Sequence, residues 1–130
     1  MPAKHHIDNN NQLIVTTWEG EARDIEFIDA IKKYQKNIQN NPNYVDYNEV
    51  VDFRKVTKVK LSNEGIKTIG TIASTTDTKG INKKLALIVS SNLAYGLARM
   101  YEAYRSFSKT ANKEIRVFKD ETAAYKWVKQ

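Results

Sequence analysis

The chain has 130 residues, 41% hydrophobic and 28% charged, with a net charge of +6; that suits one soluble domain, 1–130, with its own core. It contains no cysteine, which excludes disulfides, thiolate metal sites and cysteine nucleophiles. The start, Met1 to Asp8, has no apolar signal segment, and no apolar run approaches membrane-spanning length, so a cytoplasmic location is expected.

Residues 4–8 and 12–18 read as two strands around Asp8-Asn9-Asn10-Asn11, where asparagine tolerates left-handed turn geometry; this predicts an antiparallel hairpin. In the second strand both alternating sets, Leu13/Val15/Thr17 and Ile14/Thr16/Trp18, are largely apolar, so both faces should be covered. A helix follows from about Arg23 to Gln39, with Phe27, Ile31, Tyr34 and Ile38 on one stripe. Asp24, Glu26 and Asp29 sit in its first turns, where the helix dipole favours negative charge, and Asn40-Asn41-Pro42-Asn43 ends it. The third strand, about Tyr47–Phe53, is expected to emerge into a charged loop. Ser62 then caps a helix to about Thr76, with Ile66, Ile69, Ile72 and Ala73 facing inward. Gly80 falls in a polar turn before the fourth strand, Lys84–Val89, whose unbroken apolar run marks a central parallel strand. Ser91 or Asn92 caps the next helix, with Leu93, Leu97, Met100, Tyr104 and Phe107 as its expected inner stripe. A fifth strand, Ile115–Phe118, leads to an Asp120-capped helix bearing Ala124, Trp127 and Val128. Gly65, Gly70 and Gly96, at helix positions, are expected to permit close packing. The order ββαβαβαβα predicts an α/β fold: a mainly parallel five-stranded sheet with an antiparallel N-terminal hairpin and helices packed on both faces.

The segment Val50-Val51-Asp52-Phe53-Arg54 with Leu61-Ser62 and Gly65-Ile66 resembles the strand-Asp-loop-Ser-helix signature of STAS-like proteins, the class of the anti-sigma-factor antagonists. The second half, Ala86-Leu87-Ile88-Val89-Ser90-Ser91-Asn92 with Tyr95-Gly96-Leu97-Ala98-Arg99-Met100-Tyr101, is similar to a bacterial SpoIIAA-like subgroup, related in fold to lipid-binding CRAL-TRIO domains. The resemblance implies a regulatory module that binds a protein partner, and a homodimer. It makes Ser62 the counterpart of the family's phosphoacceptor serine, although Leu61 stands where that family carries aspartate.

The candidate sites each have a plain structural reading beside the functional one. Ser62 is a helix cap or a phosphoacceptor, with Lys58, Lys60 and Lys67 near in sequence. Asp52 and Arg54, two residues apart on one strand face, are candidates for a polar or anion site with Ser90, Ser91 and Asn92; alternatively the first two pair and the others cap a helix. Tyr95, placed opposite the expected inner stripe, and Arg99 one turn on form a candidate partner surface or a surface stacking pair. His5 and His6 are adjacent in a strand and point to opposite faces, and no metal site is expected.

Residues 1–52 carry 5 Lys/Arg against 9 Asp/Glu, and residues 53–130 carry 16 against 6. The basic half lacks both an aromatic stacking motif and a helix-turn-helix pattern, so it reads as a solvated lysine surface and nucleic acid is not expected as a partner. No catalytic constellation and no cofactor motif is present. The sequence therefore points to a non-enzymatic adaptor or regulatory domain; the alternative is a binder of a small apolar or lipid-like ligand, with Tyr101, Tyr104 and Phe107 as candidate lining or core. A fully packed interior would exclude that alternative.

Overall fold

The computed structural model describes residues 3–75, 82–106 and 113–130. Thr76, Gly80 and Phe107, assigned above to a helix end, a turn and a helix stripe, lie outside the described residues. Strands β1 (Ala3–Asp8) and β2 (Leu13–Arg23) form the antiparallel hairpin. The Asp8 carboxylate holds the turn by accepting from the Asn11 amide at 3.2 Å and side chain at 2.9 Å. The left-handed residue is Gln12 (φ 54°) rather than an asparagine.

Helix α1 (Asp24–Tyr34) continues into a π-helical turn, Gln35–Gln39. A 3-10 turn at Pro42–Tyr44 precedes β3 (Asn48–Lys60), followed by α2 (Asn63–Ser74) and β4 (Lys83–Ile88). Then come α3 (Asn92–Ser106), β5 (Lys113–Phe118) and α4 (Glu121–Val128). The sheet runs β1-β2-β3-β4-β5, and every pairing after the hairpin is parallel.

The expected charged loop after Phe53 is strand: β3 stays paired with β2 as far as Arg23 and Lys60. Lys55 approaches Glu19 at 3.9 Å, and Lys58 and Lys60 approach Glu21 at 3.8 and 4.0 Å. These exposed pairs each contribute little, but they place opposite charges across neighbouring strands, which favours the observed register. Three lysines of the basic half thus face two glutamates of the acidic half across this ribbon. Gly20, at a register shift in β2, has φ 79°, which a residue without Cβ adopts freely.

The two sheet faces bury different partners. Leu13, Val50, Ala86 and Ile88 pack against Ala124, Trp127 and Val128 of α4. Asn48 ties this layer together, donating to the Val128 carbonyl at 2.9 Å and accepting from the Lys84 amide at 2.8 Å. On the opposite face Trp18, Leu85, Leu87, Val89 and Ile115 meet α1, α2 and α3. Helix α3 is rotated by one residue from its expected phase. Leu93 is 60% exposed, while Ala94, Ala98 and Tyr101 face the sheet and Arg105 is buried. Small alanines let the helix approach the large side chains of β4 and β5, a fit that a stripe of large residues would prevent.

Ser62 caps α2, its Oγ accepting from the Gly65 amide at 2.9 Å. The same hydroxyl donates to Asp24 Oδ2 at 2.6 Å, and the Ser62 amide donates to Asp24 Oδ1 at 3.0 Å. Asp24 thereby joins the first turns of α1 and α2. Gly65 is what makes room: a Cβ there would overlap the Asp24 carboxylate. Gly70 is in ordinary contact with Tyr101 and Tyr104, whereas Gly96 faces open space, so close packing explains only the first strictly and the last not at all. Gly65→Ala is expected to lower stability by about 1–3 kcal/mol. In an Asp24→Ala background the same change should be neutral or stabilising, because alanine is the better helix former. Urea denaturation of the four proteins checks this; equal costs in both backgrounds would refute the steric account.

Candidate functional site: an apolar pocket with an ionised wall

Between the sheet and the helices α1–α3 lies a pocket of about 140 Å³. Its apolar wall includes Trp18, Phe27, Phe53, Leu87, Ala98 and Tyr101. Trp18 stacks on Phe27 (centroids 4.5 Å, 17° between planes) and lies near-parallel to Phe53 at 6.4 Å. The remaining wall is polar: His5, Thr16, Tyr34, Gln39, Glu49 and Lys113.

Glu49 is the centre of that wall. It enters from the amino end of β3 on the same face as Val51, and it is 3% exposed. Its carboxylate accepts from Tyr34 Oη at 2.9 Å, Gln39 Nε2 at 2.6 Å and Lys113 Nζ at 2.7 Å. The π-helical turn makes two of these contacts compatible. In an α-helix of 3.6 residues per turn, side chains five apart point about 140° from each other. The wider turn, marked by the Asn40 amide donating to the Gln35 carbonyl at 2.9 Å, brings Tyr34 and Gln39 to one carboxylate.

Burial alone would raise the Glu49 pKa, but the charges of Lys113 and Lys83, with hydrogen bonds from Lys113 and Gln39, outweigh it and bring it down to about 2. The same environment pushes the Tyr34 phenol well up, through burial first and then the Glu49 charge. His5 accepts or donates to Thr16 Oγ1 at 2.8 Å and lies against the Tyr34 ring at 4.7 Å; partial burial lowers its pKa. At neutral pH the wall therefore holds a carboxylate, an ammonium, two hydroxyls and a neutral imidazole.

The residues singled out from the sequence lie elsewhere, mostly at the carboxyl edge of the sheet. Asp52 pairs with Arg54 at 2.7 Å, and Arg54 also reaches Glu121 of α4 at 3.2 Å. This pair sits on the α4 face of β3. Ser91 Oγ accepts from the Ala94 amide at 3.0 Å as a helix cap, and Ser90 is exposed. Asn92 accepts from Lys119 Nζ at 2.9 Å, and the same ammonium lies 5.0 Å over the Tyr95 ring. Arg99 pairs with Glu102 at 2.7 Å rather than with Tyr95. Among the described residues, no hydrogen bond or ion pair joins Asp52 or Arg54 to Ser90, Ser91 or Asn92. A phosphate on Ser62 would meet the Asp24 carboxylate first, while Lys58 and Lys60 extend toward Glu21.

The Glu49 wall was not singled out from the sequence. Its one local signal is a carboxylate directly before the apolar pair Val50-Val51 in a strand, and its counter-ion is 64 residues away. A consequence follows for acid stability. Glu49 has a folded pKa of about 2 against an ordinary value of 4.5, so its stabilisation is complete above about pH 5 and is lost as pH falls through about 2; its size is on the order of 3 kcal/mol. Glu49→Gln should flatten that part of the pH–stability curve, and Lys113→Met should cost about 3–5 kcal/mol at pH 7 by leaving the carboxylate unmatched. Chemical denaturation from pH 7 to 2 checks both, and an unchanged acid slope in Glu49→Gln would contradict the assignment.

No helix among the described residues is long and apolar enough to cross a membrane. No family model and no curated protein sequence matches the chain. Among solved structures it is similar to an uncharacterized protein of the DUF3478 family with a SpoIIAA-like fold from Shewanella loihica PV-4. The two share 11% identity over 97% of this chain and 93% of that one, with a TM-score of 0.56. The expected architecture is therefore the one observed: the chain has a SpoIIAA-like α/β fold, with a mixed five-stranded sheet.

Proposed function

We propose that this domain is a non-enzymatic binding module whose pocket takes a small apolar ligand. The observation that carries the reading is the pocket of about 140 Å³ among Trp18, Phe27, Phe53 and Tyr101. Interiors are normally close-packed, and an unfilled apolar pocket costs its lining side chains packing contacts. A ligand in contact with these walls offsets that cost. The size also indicates what the pocket encloses: a cavity of about 150 Å³ accommodates benzene, so a single ring or a short chain fits within it.

A second reading, docking of a protein partner, is favoured by the carboxyl edge of the sheet. There Leu93 is 60% exposed in the first turn of α3, with Tyr95 on the same turn; Ile25, 79% exposed, opens α1 beyond the extension of β2 and β3. Large apolar and aromatic groups at such an edge suit an interface. Ile25→Ser with Leu93→Ser should then abolish capture of a defined partner without changing ligand binding; retained capture would count against this reading.

For the pocket, saturating toluene is expected to raise the melting temperature by a few degrees. Ala98→Leu, which projects into the pocket from α3, should abolish that shift, and Ala94→Leu provides a second filling variant. A wild-type protein indifferent to toluene would overturn the proposal.

A further inference from the structure

The pocket has a chemical preference beyond its size. Its polar wall carries one carboxylate, Glu49, and one ammonium, Lys113, in contact at 2.7 Å with side-chain exposures of 4% each. Each is thus matched inside the protein. A ligand carboxylate entering here would leave water to face an anion that is held ionised, and a ligand ammonium would face Lys113 in the same way. An ion buried without its own counter-ion is strongly disfavoured.

The other wall groups are neutral and can act in both senses. The Thr16 hydroxyl is joined to His5 at 2.8 Å and donates to the Tyr34 oxygen, while the Tyr34 hydroxyl donates to Glu49 and keeps one lone pair that can accept. A single neutral hydroxyl on the ligand, able to donate and accept, matches such a set. A purely apolar ligand would leave these groups bonded only to one another, whereas a ligand hydroxyl adds a bond by donating to a remaining lone pair. Opposite them stand the near-parallel rings of Trp18, Phe27 and Phe53, a surface suited to an aromatic or short alicyclic body.

We propose that the pocket selects a neutral, single-ring-sized hydroxy compound, of the phenol or cyclic alcohol class, with its hydroxyl on the His5–Thr16–Tyr34–Glu49 wall and its ring against Trp18, Phe27 and Phe53. The inference rests on the pocket's being a ligand site, as proposed above, and adds the polarity and charge of the ligand.

The test is a set of titrations at pH 7, followed by calorimetry or protein NMR, with benzene, phenol, benzoate and benzylammonium. Phenol should bind about tenfold tighter than benzene, from one added hydrogen bond. Benzoate and benzylammonium should bind at least about a hundredfold more weakly than phenol. Tyr34→Phe should reduce the preference for phenol severalfold and leave benzene affinity within about twofold; Thr16→Val gives an independent second variant of the same wall. Equal affinity for benzene and phenol, or benzoate binding as tightly as phenol, would overturn the inference while leaving the pocket a ligand site. Failure of all four compounds to bind would overturn the ligand site itself, and the inference with it.

Discussion

The ionised carboxylate of Glu49, held inside the protein, is the constraint on which the arrangement around the pocket depends. A buried anion is tolerated only if each of its lone pairs is approached by a donor and a counter-charge lies close by. Two distant parts of the chain supply these: Tyr34 and Gln39 across the π-helical turn, and Lys113 from the first position of β5. Lys83, which begins β4, adds its field. The amino ends of three neighbouring strands and the end of α1 are consequently fixed relative to one another by a single side chain. Such a pair need not add more stability than apolar residues of the same shape; what it does is make misregistration costly, because a slip would strand a buried charge.

That fixed polar wall also bears on why the pocket stays open. Trp18, Phe27 and Phe53 stack against one another rather than sinking toward the wall, and the small residues Ala94 and Ala98 face the space from α3. At the other end, Asp24 clamps Ser62 and binds the first turns of α1 and α2 together. Helix α1 is therefore held at both ends by directional polar contacts, and its collapse onto the sheet would break one set or the other. The SpoIIAA-like fold by itself does not supply a function; the ligand reading comes from this pocket and its wall.

Much of the architecture was legible because its signals are local. The hairpin, the caps at Ser62 and Asp120 and the apolar run Leu85–Ile88 depend on residues a few positions apart, and the observed elements agree with them. The misreadings share another cause: each depended on partners far along the chain. Lys55, Lys58 and Lys60 look like a solvated loop until Glu19 and Glu21 lie beside them. The phase of α3 follows the volume left by β4 and β5, which the helix's own hydrophobic pattern does not report. Glu49 becomes notable only when Lys113 is seen to reach it. The polar candidates at the carboxyl edge were visible as residue types, but Asp52 and Arg54 fall on the face covered by α4, and Ser91 and Asn92 open the helix on the other. Parity along the strands separates them.

The most direct test of the pocket as a ligand site is diffraction from crystals of the protein under xenon pressure. Xenon binds against apolar walls in spaces of this size and reports them by its own scattering. The expected result is an ordered xenon peak in contact with Trp18, Phe27 and Tyr101, with the Glu49–Lys113 contact unchanged. Closed packing of those rings, with no xenon between them, would contradict the claim that this domain carries a binding pocket.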